Sequence, residues 1–194
     1  MAETERIPYG RAPLGRSSRE RDEKIPEMTM KQNIVLIGMP GAGKSTIGVL
    51  LAKAMNYDFL DTDISIQRET GKKLYETIAE KGLHAFLQIE NDVLKKVAGD
   101  RMVIATGGSA VFGQQAMVHL KEIGTVVYIR LSCEEIVRRV KNIKTRGIAM
   151  QKGDSMEDVY RQRVPLYEKY ADITVDAEHT TIEEAVELIM KQLD

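Results

Sequence analysis

Gly38-Met39-Pro40-Gly41-Ala42-Gly43-Lys44-Ser45 follows the apolar run Ile34-Val35-Leu36-Ile37. The pattern G-x-x-x-x-G-K-[ST] behind a buried strand is a phosphate-binding loop in its expected setting. Such a turn folds its backbone N–H groups inward around an anion, and side chains there would crowd the phosphates. Gly38, Gly41 and Gly43 suit that demand, with the small Ala42 between the last two. A helix is predicted to start at Lys44-Ser45-Thr46, adding unpaired N–H groups and a partial positive charge. Lys44 can reach the β- and γ-phosphates, and the Ser45 hydroxyl can ligate Mg²⁺. Strand, loop and helix agree on a site for a nucleoside triphosphate.

Outward from the loop, strand and helix patterns alternate. Strands are predicted over 33–37, 57–60, 102–105, 125–131 and 173–175. Helices are predicted over 44–55, 64–70, 73–81, 83–98, 114–122, 134–140, 156–170 and 181–193, the last amphipathic through Ile182, Ala185, Val186 and Ile189. Strands separated by helices give an α/β fold, a parallel sheet covered on both faces in three α/β/α layers. Ligands of such sheets lie outside the carboxyl ends of the strands. The phosphate loop, Asp61-Thr62-Asp63 and Thr106-Gly107-Gly108 all fall at such ends, so they are expected to converge.

At 194 residues, one domain with a full core is expected. A net charge of −1 gives no electrostatic footprint for nucleic acid or a membrane surface. No apolar run approaches the roughly 20 residues that span a bilayer. The single cysteine, Cys133, cannot form an internal disulfide, which suits a reducing cytoplasm. Residues 1–31 mix Arg, Glu, Pro, Gly and Ser without periodicity, and are expected to be a disordered tail ahead of a domain over 32–194. Met28 or Met30 would make a natural start for that domain. A monomer is expected.

Asp61 and Asp63 leave a strand end on the same face. Phosphoryl transfer needs a carboxylate near the metal and another near the acceptor hydroxyl. Asp61 would hold Mg²⁺, and Asp63 would orient the attacking hydroxyl. Gly107 and Gly108 let a substrate approach the backbone closely. Arg138, Arg139 and Arg146 flank the glycine-bearing segment 141–154, a candidate lid. Arg146 would place a cation on the transferring phosphoryl, and Arg139 would stack on adenine. Arg161 or Arg163 could enter the cleft and bind an anionic substrate.

This set resembles the shikimate kinases, small nucleoside-monophosphate-kinase-like enzymes of aromatic amino acid synthesis. The resemblance rests on 38–46, on Phe59-Leu60-Asp61-Thr62-Asp63 and on Ala105-Thr106-Gly107-Gly108. Thr70-Gly71, the stretch from Gly82 to Glu90, Thr145-Arg146 and Arg163-Val164-Pro165-Leu166-Tyr167 complete it. It implies a five-stranded parallel sheet, ATP and Mg²⁺ as cofactors, and a small hydroxylated molecule as phosphoryl acceptor, shikimate first. By the same resemblance Asp63 and Arg163 hold that acceptor, Arg146 is the lid arginine and Arg139 lies beside adenine. Three positions depart from the family's pattern. Leu87 stands where an arginine clamps the substrate carboxylate, Ser109 replaces a third glycine, and Gly147 follows Arg146 in place of proline. Ser109 adds a hydroxyl to the acceptor region. These changes leave open a polyol, cyclitol or hydroxy amino acid as acceptor, or a non-catalytic nucleotide-binding protein.

Overall fold

The computed structural model describes residues 32–140 and 147–193; the expected tail over 1–31 lies outside them. Five strands, β1 (Asn33–Ile37), β2 (Asp58–Asp61), β3 (Met102–Ala105), β4 (Gly124–Arg130) and β5 (Ile173–Asp176), pair in parallel in the order β2-β3-β1-β4-β5. β1 is central and buried at every position, as the apolar run Ile34–Ile37 requires of a parallel strand covered on both faces, while buried Asn33 is satisfied by the Gly99 carbonyl and the Met102 N–H. Val35 lies opposite Ile104 on one side and Val126 on the other. From β1 the chain goes to one side for β2 and β3, then crosses over for β4 and β5. A crevice therefore opens at the carboxyl end of β1.

Seven helices cover this sheet among the described residues: α1 (Lys44–Met55), α2 (Thr62–Thr70), α3 (Leu74–Leu94), α4 (Gln114–Ile123), α5 (Cys133–Arg139), α6 (Met156–Tyr170) and α7 (Ile182–Leu193). α1 buries Ile47 and Leu51 in the main core, and α7 packs on α1. Each fully buried aliphatic side chain of this kind contributes about 1.5–3 kcal/mol. A smaller cluster of Ile66, Phe86, Val93 and Ala149 joins α2, α3 and the loop before α6. Phe86 and Ala149 of that cluster reach the crevice wall.

Three details differ from the expected elements. α2 starts at Thr62 because the Asp61 carboxylate caps it, accepting the Asp63 N–H at 2.9 Å. The helices expected over 73–81 and 83–98 do part at Gly82, which is non-helical (φ 81°, ψ 164°), but the second, the later part of α3, ends at Leu94 and not at 98. A short 3-10 turn, Ala110–Phe112, follows the glycine pair and was not legible in the periodicity.

Candidate active site

The phosphate loop leaves β1 at Gly38, whose φ of 144° is closed to most side chains. A Cβ at Gly38 would also lie 2.7 Å from the Ile129 carbonyl oxygen on β4. Gly43 caps α1 in the left-handed region and offers no side chain to its N–H groups, so these stay free for an anion. Lys44 is buried and curls back over its own loop. Its Nζ donates to the carbonyls of Gly38 at 2.7 Å and Met39 at 2.9 Å. Burial lowers its pKa to about 8, against the opposing pull of the Asp63 charge. An arriving phosphate would restore the fully charged ammonium.

Behind the loop, the Ser45 hydroxyl donates to Asp61 Oδ2 at 2.7 Å. These two oxygens are a hard pair at the helix entrance, suited to Mg²⁺, which takes few protein ligands and keeps several waters. Among the described residues no group of three or more His, Cys, Asp or Glu could hold a metal, so a protein-only cage is not built here. Asp63, the second residue of α2, lines the cleft. Burial first, then the Asp61 charge, pushes its pKa up to about 6, while Lys44 works against them.

The end of β3 faces this pair. The Thr106 hydroxyl donates to the Leu36 carbonyl at 2.9 Å, and the Gly107 N–H to the Thr62 hydroxyl at 3.2 Å. A Cβ on Gly107 would stand 2.5 Å from Glu90 Oε1 and 2.8 Å from Asp63 Oδ1. Only glycine lets the two carboxyls converge over this backbone. Glu90, on α3, is 2% exposed, and its Oε1 has no hydrogen-bond partner among the described residues. Burial pushes its pKa up to about 7, partly offset by a hydrogen bond from Ser109.

α6 closes the far side. Arg163 is also 2% exposed, donates through Nη2 to the Ala149 carbonyl, and lies 5.5 Å over the Phe112 ring. Its Nε is unpaired. One turn on, the Tyr167 hydroxyl donates to the Gly108 carbonyl at 2.6 Å, and its ring stacks on Tyr128 at 5.1 Å. These contacts pin α6 to the glycine pair.

One cleft of about 330 Å³ collects Gly41, Gly43, Lys44, Ser45, Thr46, Asp63, Gly107, Gly108, Ser109 and Arg163 from four separate stretches of sequence. Gly38, Ala42 and Asp61 are not among the residues that line it. Arg139 pairs with Glu135 Oε1 at 2.5 Å, and its Cβ lies 3.7 Å from the place of a Cβ on Gly41, beside the loop rather than in the cleft. Arg146 and the rest of 141–146 lie outside the described residues. Gly147, Ile148 and Ala149 line the cleft on that side. Leu87 packs at the margin of the smaller cluster and does not line the cleft. Sequence reasoning passed over Phe86 and Glu90, which do line it. The signal was present: a glutamate spaced with Phe86, Val93 and Leu94 on the buried face of α3.

This architecture is that of the phosphate-loop kinases. A family model described as shikimate kinase matches residues 40–194. A shikimate kinase of Thermodesulfovibrio yellowstonii is 36% identical over 84% of this chain and 95% of its own. Among solved structures, shikimate kinase from Acinetobacter baumannii in complex with shikimate superposes with a TM-score of 0.77 at 30% identity, over 84% of this chain and 92% of that one. Shikimate kinase from Aquifex aeolicus superposes with a TM-score of 0.72 at 33% identity, over 83% and 95%. The chain belongs to the shikimate kinase family.

Proposed function

We propose that this chain is an ATP-dependent kinase that moves the γ-phosphoryl group onto a hydroxyl of a small molecule, with shikimate the leading acceptor. The observation that carries this reading is the convergence of Lys44, Asp63 and Arg163 on one cleft. The loop N–H groups and Lys44 bind the triphosphate, Lys44 exchanging its two loop carbonyls for phosphate oxygens. Mg²⁺, held by Ser45 and Asp61, would supply charge neutralisation on the phosphates. Arg139 lies where it can flank the base, and Arg146, within a lid over 141–154, would add a cation at the transferring group. Asp63 accepts a hydrogen bond from the acceptor hydroxyl and aligns it. As the bond from that oxygen to the γ-phosphorus forms, the bond to the bridging oxygen breaks. The hydroxyl proton passes to Asp63, and ADP departs. A pKa near 6 suits this carboxylate to receive a proton that is lost only as transfer completes. Arg163 pairs with an anionic group of the acceptor. The enzyme would act as a monomer in the cytoplasm; no helix among the described residues is long and apolar enough to cross a membrane.

The test is ADP release from Mg-ATP by the purified protein with and without shikimate. Shikimate-dependent turnover at submillimolar acceptor supports the reading. Acceptor-independent background alone, with ATP bound, removes shikimate and leaves another hydroxylated acceptor. The placement of Leu87 away from the cleft favours that second reading, because no second cation beside Arg163 comes from α3.

A further inference from the structure

The acceptor end of the cleft contains two polar atoms that lack partners among the described residues, and they are of opposite character. Glu90 Oε1 is an acceptor on an acidic side chain, and Arg163 Nε is a donor on a cation. Both side chains are 2% exposed, and both line the same cleft. A buried polar atom left unpaired is rare in a folded protein and points to a missing partner.

The neighbours of Glu90 do not supply one. On its own helix, Phe86 lies one turn before it and is apolar, and Leu87 packs elsewhere. From α1, Lys44 donates to two loop carbonyls. From α6, Arg163 donates through Nη2 to Ala149. Ser109 contributes one hydroxyl. From α2 comes a second carboxylate, Asp63, which meets Glu90 over Gly107. Two acids thus converge at the acceptor end, and among the described residues the cations lining the cleft are Lys44, which faces the phosphates, and Arg163 from α6. A hydroxyl on the ligand would satisfy a lone pair of Glu90 but not the paired acidic charge. A cation would satisfy both.

We propose that Glu90 forms a subsite for an ammonium group, so that the pocket takes a hydroxylated amino acid whose carboxylate pairs with Arg163 and whose hydroxyl meets Asp63. The proposal rests on the reading of the chain as a small-molecule kinase and narrows its acceptor. Shikimate carries no ammonium and would leave this subsite without its cation. The burial that keeps Glu90 partly protonated near neutral pH adds a signature. A bound ammonium draws the carboxyl to its ionised form, so binding releases a proton.

The experiment uses ligand pairs that differ only in the ammonium group: L-homoserine against 4-hydroxybutyrate, and L-serine against 3-hydroxypropionate. Calorimetric titration of the protein with Mg-ADP present gives affinity, and buffers of different ionisation enthalpy at pH 7 give proton release. ADP release from Mg-ATP gives kcat/KM for the same ligands and for shikimate. The expected result is an advantage of about 10- to 100-fold for the amino member of at least one pair, the range of one charge-assisted hydrogen bond. Proton release should accompany only that member, and Glu90→Gln should collapse the ratio. A ratio near one in both pairs overturns the subsite. If shikimate is turned over while the ratios are near one, the kinase reading stands and the subsite falls. If an amino member binds preferentially but no acceptor is turned over, the subsite stands and the kinase reading falls. Should Glu90→Gln fail to fold, the comparison within the wild-type protein still decides.

Discussion

Lys44 and Glu90 are both buried ionisable groups in one cleft, yet their surroundings are opposite in kind. Lys44 sits in a half built from backbone, and both its observed bonds go to carbonyls of its own loop. Glu90 sits in a half built from side chains on α2, α3 and α6, and one of its oxygens is unpaired. In the nucleotide half Lys44 is satisfied before any ligand arrives, so a phosphate must displace its two carbonyl bonds, while the N–H groups at the start of α1 stay free to receive it. Among the described residues the acceptor half leaves both a carboxyl oxygen of Glu90 and a guanidinium N–H of Arg163 short of partners. A backbone-built half depends on glycines and on helix geometry, which many sequences share. A side-chain-built half is set residue by residue, so specificity can change there without disturbing the fold.

If the two halves are separable, substitutions should sort cleanly between them. Asp63→Asn removes the carboxylate that aligns the hydroxyl, and kcat should fall about 10²- to 10⁴-fold. ATP affinity, measured by titration, should hold; a parallel collapse would show that the halves are one electrostatic unit. Lys44→Met should lower kcat by about 10²- to 10³-fold, the scale of one lost donor to the developing charge. That loss should be equal for every acceptor, with acceptor KM unmoved. A loss that varied with the acceptor would break the division.

The third expectation concerns stability. The pKa of Glu90 is raised from 4.5 to about 7 by burial, so the folded state holds its proton more tightly than the unfolded chain. Its stabilising contribution is complete below pH 4.5 and is lost as pH rises through about 7. The loss should approach roughly 3 kcal/mol. Asp63, raised from 3.8 to about 6, acts in the same direction at lower pH. Chemical denaturation at pH 5 and pH 8 should show the fall, and Glu90→Gln should flatten its upper part. A wild-type profile flat over this range would mean that Glu90 is solvated or paired in solution.

The same division governed what the sequence revealed. β1, the loop and α1 were read with their observed boundaries, because local pattern and local structure coincide there. Asp63, Gly107, Gly108 and Arg163 were placed in the site because they stand at strand ends or in a recognisable motif, and the fold brings them to one cleft. Glu90 was missed because its meaning is tertiary. A glutamate in a long helix usually faces solvent, so the spacing of Glu90 with Phe86, Val93 and Leu94 was not read as burial, although that face is covered where α2 packs on α3. The break at Gly82 was legible, because a glycine punctuates the apolar spacing on both sides of it and the chain is non-helical there. Leu87 teaches the converse. Its identity marked a departure from the family, but its position at the edge of the smaller cluster follows from packing alone.

The smallest expected effect tests the contact that ties the two halves together. Tyr167 donates to the Gly108 carbonyl at 2.6 Å, and its ring stacks on Tyr128 of β4. α6 therefore carries Arg163 at a fixed height over the glycine pair. Tyr167→Phe keeps the ring and the stacking but removes the donor, leaving the Gly108 carbonyl without that partner. The stability cost should be about 1 kcal/mol. The kinetic effect separates two roles. If the hydroxyl only stabilises the fold, kcat and KM for the acceptor stay as in the wild type once the protein is folded. If it positions Arg163, acceptor KM rises by a few-fold, on the order of 1 kcal/mol, while ATP KM and kcat are unmoved. A rise in ATP KM would instead show that displacement of α6 reaches the phosphate loop. The glycine pair would then be a mechanical link between nucleotide and acceptor, and not a boundary between two independent sites.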